Sequence, residues 1–294
     1  MAGNTRRKVS GKIVTGWQGS CKPAGDPSWS AGSPSVKKSK KLQKVLVLLS
    51  LAALGVASSV RASGVMEPSP ILRITKIVPK PGAMAEVRNI EAERTAAFRN
   101  AKWPRTFISA SAVTGPAQIW ILTRYARLAE IQEDIGRIEA SPELSQTMDR
   151  LDAAEGALLA SKRDVTVTYQ KNISYRPAFD WSTVRYWEII WIHLRQGHHD
   201  EYIQNRIMTR EEHERGGFDT HQMMYAVQSG EQSGTFMVIR PMPALGLLDT
   251  LHAANDGEPA TPEEEKKKTE LFAASSMTEE EAYFRVDPAL TSLQ

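Results

Sequence analysis

The chain has 294 residues, 41% of them hydrophobic, with 37 Lys and Arg, 34 Asp and Glu, six His and one Cys. That suffices for one or two cored domains and excludes a disordered chain or a long coiled coil. The net charge of +3 hides a split: residues 1–62 carry eleven basic groups and one acid, and the remainder carries 26 basic and 33 acidic groups. An acidic body would repel phosphate, which excludes nucleic acid as the partner.

Residues 1–35 are rich in Gly, Ser, Pro and Lys and hold the lone cysteine, Cys21; with no apolar periodicity, they are expected to be disordered. Residues 36–62 have the order of a secretory signal. Lys37 to Lys44 is basic, Val45 to Ala57 is an apolar run of 13 residues, and Val60-x-Ala62 offers a small-residue cleavage site, with Ala57 as an alternative. As a helix the run reaches about 20 Å, short of a bilayer span of about 20 residues. A secreted or periplasmic protein cleaved near Ala62 is therefore expected, with the membrane touched only through an uncut signal. Val36 to Ala62 is a signal of ordinary length, so translation starting at Val36 would make residues 1–35 a mis-assigned extension; N-terminal sequencing of the precursor tests this. No disulfide can form in the mature chain, since no cysteine follows the signal.

The rest reads as an internal duplication, residues 65–178 and 182–294. Lys80 to Glu86 matches Arg195 to Glu201 at an offset of 115, Gln118 to Arg124 matches Gly234 to Arg240 at 116, and Ala140 to Glu143 matches Ala260 to Glu263 at 120. Each copy opens with a strand, Ile71 to Val78 or Tyr186 to Leu194, ended by a glycine. A helix follows, with Met84, Val87, Ile90, Ala97 and Phe98 on its apolar stripe in copy one and Tyr202, Ile203 and Ile207 in copy two. A hairpin comes next: Thr106 to Val113 with Gln118 to Arg124, and Gln222 to Gln228 with Thr235 to Arg240. A second helical region includes starts at Ser141-Pro142 and Thr261-Pro262, with Thr261 and Glu264 forming a capping box. Closing strands are expected at Val165 to Tyr175 and Tyr283 to Val286, and Glu279 to Glu281 reads as an exposed helix face.

The βαββαβ order is that of a split βαβ, ferredoxin-like unit, an α+β arrangement with helices on one sheet face. Two copies can cover each other's free faces in one pseudo-twofold body. This tandem pattern, with Lys80-Pro81-Gly82 and Glu86 opening helix one, resembles the dimeric α/β-barrel superfamily, and within it the NIPSNAP-like and antibiotic-biosynthesis monooxygenase-like domains. The resemblance implies a fused α/β barrel with a ligand cavity between the sheets. It supplies no catalytic motif, so the catalytic residues stay unassigned.

Alternation places Trp187, Ile189, Trp191 and His193 on one face of the first strand of copy two, where copy one has Leu72, Ile74, Lys76 and Val78. On the neighbouring strand His221, Met223 and Tyr225 share a face, set against Phe107, Ser109 and Ser111. The residues fit plain core packing; they also fit an aromatic ligand wall built from Trp187, Trp191, His193, His221 and Tyr225. His198 and His199 point about 100° apart on a helix and do not make a metal site, and no metal pattern occurs elsewhere. His213 and His252 read as surface residues. Two functions remain: an exported, non-catalytic protein binding a small apolar or aromatic ligand, or a monooxygenase using the same cavity, with haem on His193 or His221. Oligomeric state is left open.

Overall fold

The computed structural model describes residues 64–249 and 260–292; the signal segment, Cys21 and His252 lie outside them. A short strand β1 (Val65–Met66) precedes the first repeat: β2 (Ile71–Pro79), α1 (Met84–Asn100), β3 (Phe107–Ala112), β4 (Ile119–Tyr125), α2 (Ala129–Glu139), α3 (Pro142–Gly156) and β5 (Leu159–Tyr169). A linker strand β6 (Phe179–Asp180) leads to the second: β7 (Tyr186–Leu194), α4 (His199–Gly216), β8 (Met223–Ser229), β9 (Thr235–Met242), α5 (Pro262–Ser275) and β10 (Ser276–Val286).

Eight of these strands close into a barrel in the order β10-β3-β4-β2-β5-β8-β9-β7, every pairing antiparallel. Each repeat contributes four neighbouring strands, and the last strand of each pairs with the first hairpin strand of the other. Closure leaves the barrel itself without an unpaired edge. The two seams are Thr166–Tyr169 of β5 against Tyr225–Ser229 of β8, and Phe284–Val286 of β10 against Ala110–Ala112 of β3. Outside the barrel, β1 and β6 form a two-stranded ribbon.

Local chemistry explains the punctuation. Gly82 and Gly197 both follow a first strand with φ of 86°, a left-handed turn open to glycine at no steric cost. Ser141 caps α3 by accepting from the Leu144 amide, and Thr261 and Glu264 form the reciprocal capping box on α5, each with proline at the first helical turn.

Several expectations are corrected. The closing strands run Leu159–Tyr169 and Ser276–Val286, so Glu279 to Glu281 belongs to a strand and not to a helix face. The polar run ladders along β7 because backbone pairing, at Glu280 with Trp191 for example, is independent of what the exposed side chains are. The repeat offsets also shift. Leu72 pairs with Arg124 and Trp187 pairs with Pro241, which makes the β4-to-β9 offset 117, not 116. Likewise Ile108, and not Ser109, stands where Met223 stands, since they face Leu122 and Ile239. A one-residue slip exchanges the two faces of a strand, so Arg124 corresponds to Pro241 and has no counterpart in Arg240.

His213 is half-buried and not a freely solvated surface residue. Its ring packs against Tyr175 (5.3 Å) and Phe218 (5.1 Å), and burial lowers its pKa to about 4. The unfolded chain then binds more protons between pH 6.5 and 4, so this histidine's contribution is present above pH 6.5 and is lost as pH falls toward 4. His213→Phe is expected to flatten that limb of the stability curve, as read by urea unfolding at several pH values. An unchanged acid limb would show that the ring is solvated in solution.

Candidate functional site

The aromatic face of β7 lines the barrel interior. Leu72, Ile74, Trp120, Leu122, Val165, Val167, Trp187, Ile189, Trp191, Met223, Tyr225, Met237, Ile239 and Phe284 form one buried cluster there. Trp187, Trp191 and Tyr225 are thus brought into one interior. Eight strands enclose a space just wide enough for side chains, and three indoles with Phe284 fill it: Trp120 lies 5.8 Å from Trp191 and 4.5 Å from Phe284. The space left beside Trp187 and Tyr225 is about 10 Å³, roughly the room for one water. The ligand-sized cavity expected between the sheets is instead packed core.

The two histidines sit at the margins. His193 ends β7 with its Nδ1 2.8 Å from Thr235 Oγ1. His221 precedes β8, its Nδ1 2.6 Å from the Arg176 carbonyl oxygen and its ring 5.7 Å from Phe179. The five residues expected in one ligand wall are thus three core aromatics and two histidines at the rim.

Lys76 carries an unforeseen feature. It occupies the β2 position equivalent to Trp191 in β7, buried inside the barrel with Nζ 3.6 Å from the Trp191 ring centre and 4.7 Å from that of Trp120. Burial lowers its pKa to about 8, partly opposed by Glu231 Oε2 at 3.5 Å. Two indole faces thus offset part of the desolvation of one ammonium.

A cavity of about 460 Å³ lies elsewhere, between the outer face of β2, β4 and β5 and the helices α1, α2 and α3 of the first repeat. Its floor includes Arg73, Thr75, Ile121 and Thr123, and its walls include Phe98, Trp103 and Tyr125. The second repeat presents Glu188, Ile190, Val238 and Arg240 at the floor positions. There Ile190 and Val238 pack with Ile192, Phe236 and the fully buried Tyr202 of α4. Threonines where the other copy has isoleucine and arginine leave the first layer incompletely filled. That asymmetry is present in the sequence, but the offset of 116 sets Thr123 against Ile239 and conceals it.

Charge in the cavity is arranged in pairs. Arg73 Nη2 lies 2.6 Å from Asp164 Oδ2, and Thr75 Oγ1 donates to Asp164 Oδ1 at 2.5 Å. Arg94 holds Glu91 at 2.9 Å and both Asp152 and Glu155 at 3.0 Å, while Lys162 reaches Glu155 at 2.7 Å. Arg105 binds Asp134 at 3.0 Å. Burial pushes the Tyr125 phenol up to about 12, with Asp134 adding to the rise, so the phenol remains protonated at neutral pH. Burial also raises Glu91 and Asp134 against the opposing pull of Arg94 and Arg105. Five carboxylates and three cations line the space, which favours a neutral or cationic occupant. Among the described residues no three His, Cys, Asp or Glu side chains converge as a metal site, and no described helix is long and apolar enough to cross a membrane.

No protein-family profile and no curated protein sequence matches this chain. Solved structures do. A protein of Fusobacterium nucleatum provisionally assigned as a monooxygenase superposes with a TM-score of 0.51 at 9% identity, over 75% of this chain and 94% of its own. An anthrone oxidase-like protein gives 0.50 at 10%, over 76% and 94%. This chain has the dimeric α/β-barrel fold. A chlorite dismutase variant from Candidatus Nitrospira defluvii, crystallised with cyanide, follows with a TM-score of 0.48 at 11% identity, over 76% and 92%. At such identities the likeness is one of fold, and the dimeric α/β barrel here is a single chain in which both halves are covalently joined.

Proposed function

We propose that the protein is an exported small-molecule-binding protein whose ligand occupies the cavity between the first-repeat sheet and α1–α3. The observation that carries this is the contrast between the two repeats: one helix layer closes on its sheet, and the other leaves about 460 Å³ walled by aromatics and floored by paired charges. Aromatic walls offer apolar surface to the body of a small molecule, and fixed polar groups beside them can set its orientation. Export rests on the basic, apolar, small-residue order of residues 36–62. The finer likeness to NIPSNAP-like proteins rests on Lys80-Pro81-Gly82 and Glu86 at the opening of α1.

The cavity is tested with Nile red, a neutral aromatic probe, and with Thr75→Trp, which places an indole on the cavity floor. Wild-type protein is expected to enhance the dye's fluorescence saturably, and the variant to lose most of that response while keeping its far-UV circular dichroism. Equal binding by both would remove the cavity from consideration.

A second reading, an oxidase or monooxygenase working in the same cavity, draws on what the fold neighbours are described as and on the buried, protonated Tyr125 beside Asp134. Oxygen uptake with anthrone as the probe substrate tests it. Haem requires an axial ligand facing a roomy apolar pocket. His193 and His221 face the packed barrel margin, and no histidine lines the 460 Å³ cavity. The residues present do not fit haem at either place.

A further inference from the structure

The ribbon of β1 and β6 lies beside one mouth of the barrel, where Pro68, Ser69 and Trp181 line a small enclosed space with Leu72, Arg124 and Trp187. Three donors around this space have no acceptor. The indole N–H groups of Trp181 and Trp187 and the Nε–H of Arg124 are buried and unpartnered. Trp187 is entirely buried. A buried donor left unmet is destabilising, a charged one more so, and three such residues lining one space call for an acceptor.

Arg124 sharpens the demand. It stands on the interior face of β4, opposite Leu72, and its only side-chain hydrogen bond among the described residues is from Nη2 to the Glu67 carbonyl oxygen. No described carboxylate forms an ion pair with it. Burial depresses its pKa without a strong anionic partner to offset this. The same arginine, with Pro68 and Ser69, also lines an open groove of about 380 Å³ outside the ribbon. Two acids and two arginines line the groove, Glu67 and Glu130 with Arg105 and Arg124; Glu130 is held by Arg105 at 3.4 Å and by the Ala126 amide at 2.8 Å.

We infer that this mouth is a binding site for a small carboxylate-bearing molecule, one carboxylate oxygen filling the water-sized space lined by Arg124, Trp181 and Trp187 and the rest of the molecule lying in the outer groove. A carboxylate supplies several lone-pair positions and the missing negative charge in one group. The site is separate from the first-repeat cavity and stands or falls without it.

Acetate and benzoate are the probes, read by tryptophan fluorescence and by thermal shift against matched ionic strength in potassium chloride. Saturable responses to both are expected, with benzoate the tighter. Arg124→Gln should weaken binding at least about tenfold, the scale of one lost charged hydrogen bond, and Arg124→Lys should recover part of it. Trp181→Phe, which keeps the ring and removes the N–H, should weaken it without loss of fold, and Thr75→Trp should leave it unchanged. Absence of a response in the folded wild type beyond that of chloride would overturn the inference. So would equal affinity in Arg124→Gln, or a crystal grown in acetate with a lone water bridging the three donors.

Discussion

Replacing Arg94 by methionine is expected to cost about 3–5 kcal/mol of stability at neutral pH, the range for breaking a buried ion pair from one side. Glu91 and Glu155 are each 1% exposed, and the guanidinium of Arg94 bonds to both and to Asp152. Glu155 keeps Lys162 in the variant, whereas Glu91 loses its cation and must take up a proton to stay buried. Its folded pKa then rises further above the unfolded value, so the folded state binds the extra proton. The penalty is therefore smallest near pH 4.5 and grows as pH rises above it. Urea unfolding across that range measures it; a penalty independent of pH would show that Glu91 is not the group left unpaired.

Phe284→Ala should also cost about 3–5 kcal/mol, because the ring is wholly buried and its loss leaves a cavity that eight surrounding strands cannot collapse around. Phe284 pairs with Trp187 on one side and Ala112 on the other, which places it in the seam between repeats. Phe284→Leu should restore most of the loss. Denaturant unfolding with both circular dichroism and tryptophan fluorescence would show whether the barrel still opens as one unit. A loss below about 1 kcal/mol would mean that the seam is not packed as described.

The fold was legible because its signals are periodic and repeated. Alternation in Tyr186 to Leu194, the capping residues at Ser141 and Thr261, and the glycines after each first strand recur in order, and the ferredoxin-like reading follows from that order. The candidate site was less so. A strand with two apolar faces does not say which layer encloses a ligand, and the volumes of Trp120, Trp191 and Phe284 together, not any one of them, decide that the interior is full. The empty layer depended on Thr75 and Thr123 facing helices, which requires the pairing partner to be known within one residue. The offset of 116 placed Arg124 against Arg240 and obscured both the cavity floor and the unmatched guanidinium. His213 was misread for a similar reason: its neighbours Glu212 and Glu214 suggest solvent, while Tyr175 and Phe218, which cover it, are distant or beyond the helix end.

Joining both halves in one polypeptide changes what a mutation can do. In a barrel assembled from two identical subunits, every substitution is made twice, once on each side of the symmetry axis. Here a threonine introduced beneath one helix layer leaves the opposite layer untouched, and a lysine can replace a tryptophan at one end without its twin appearing at the other. Covalent linkage thus permits specialisation of one side while its counterpart remains a scaffold, which is the division of labour seen between a hollow first half and a solid second.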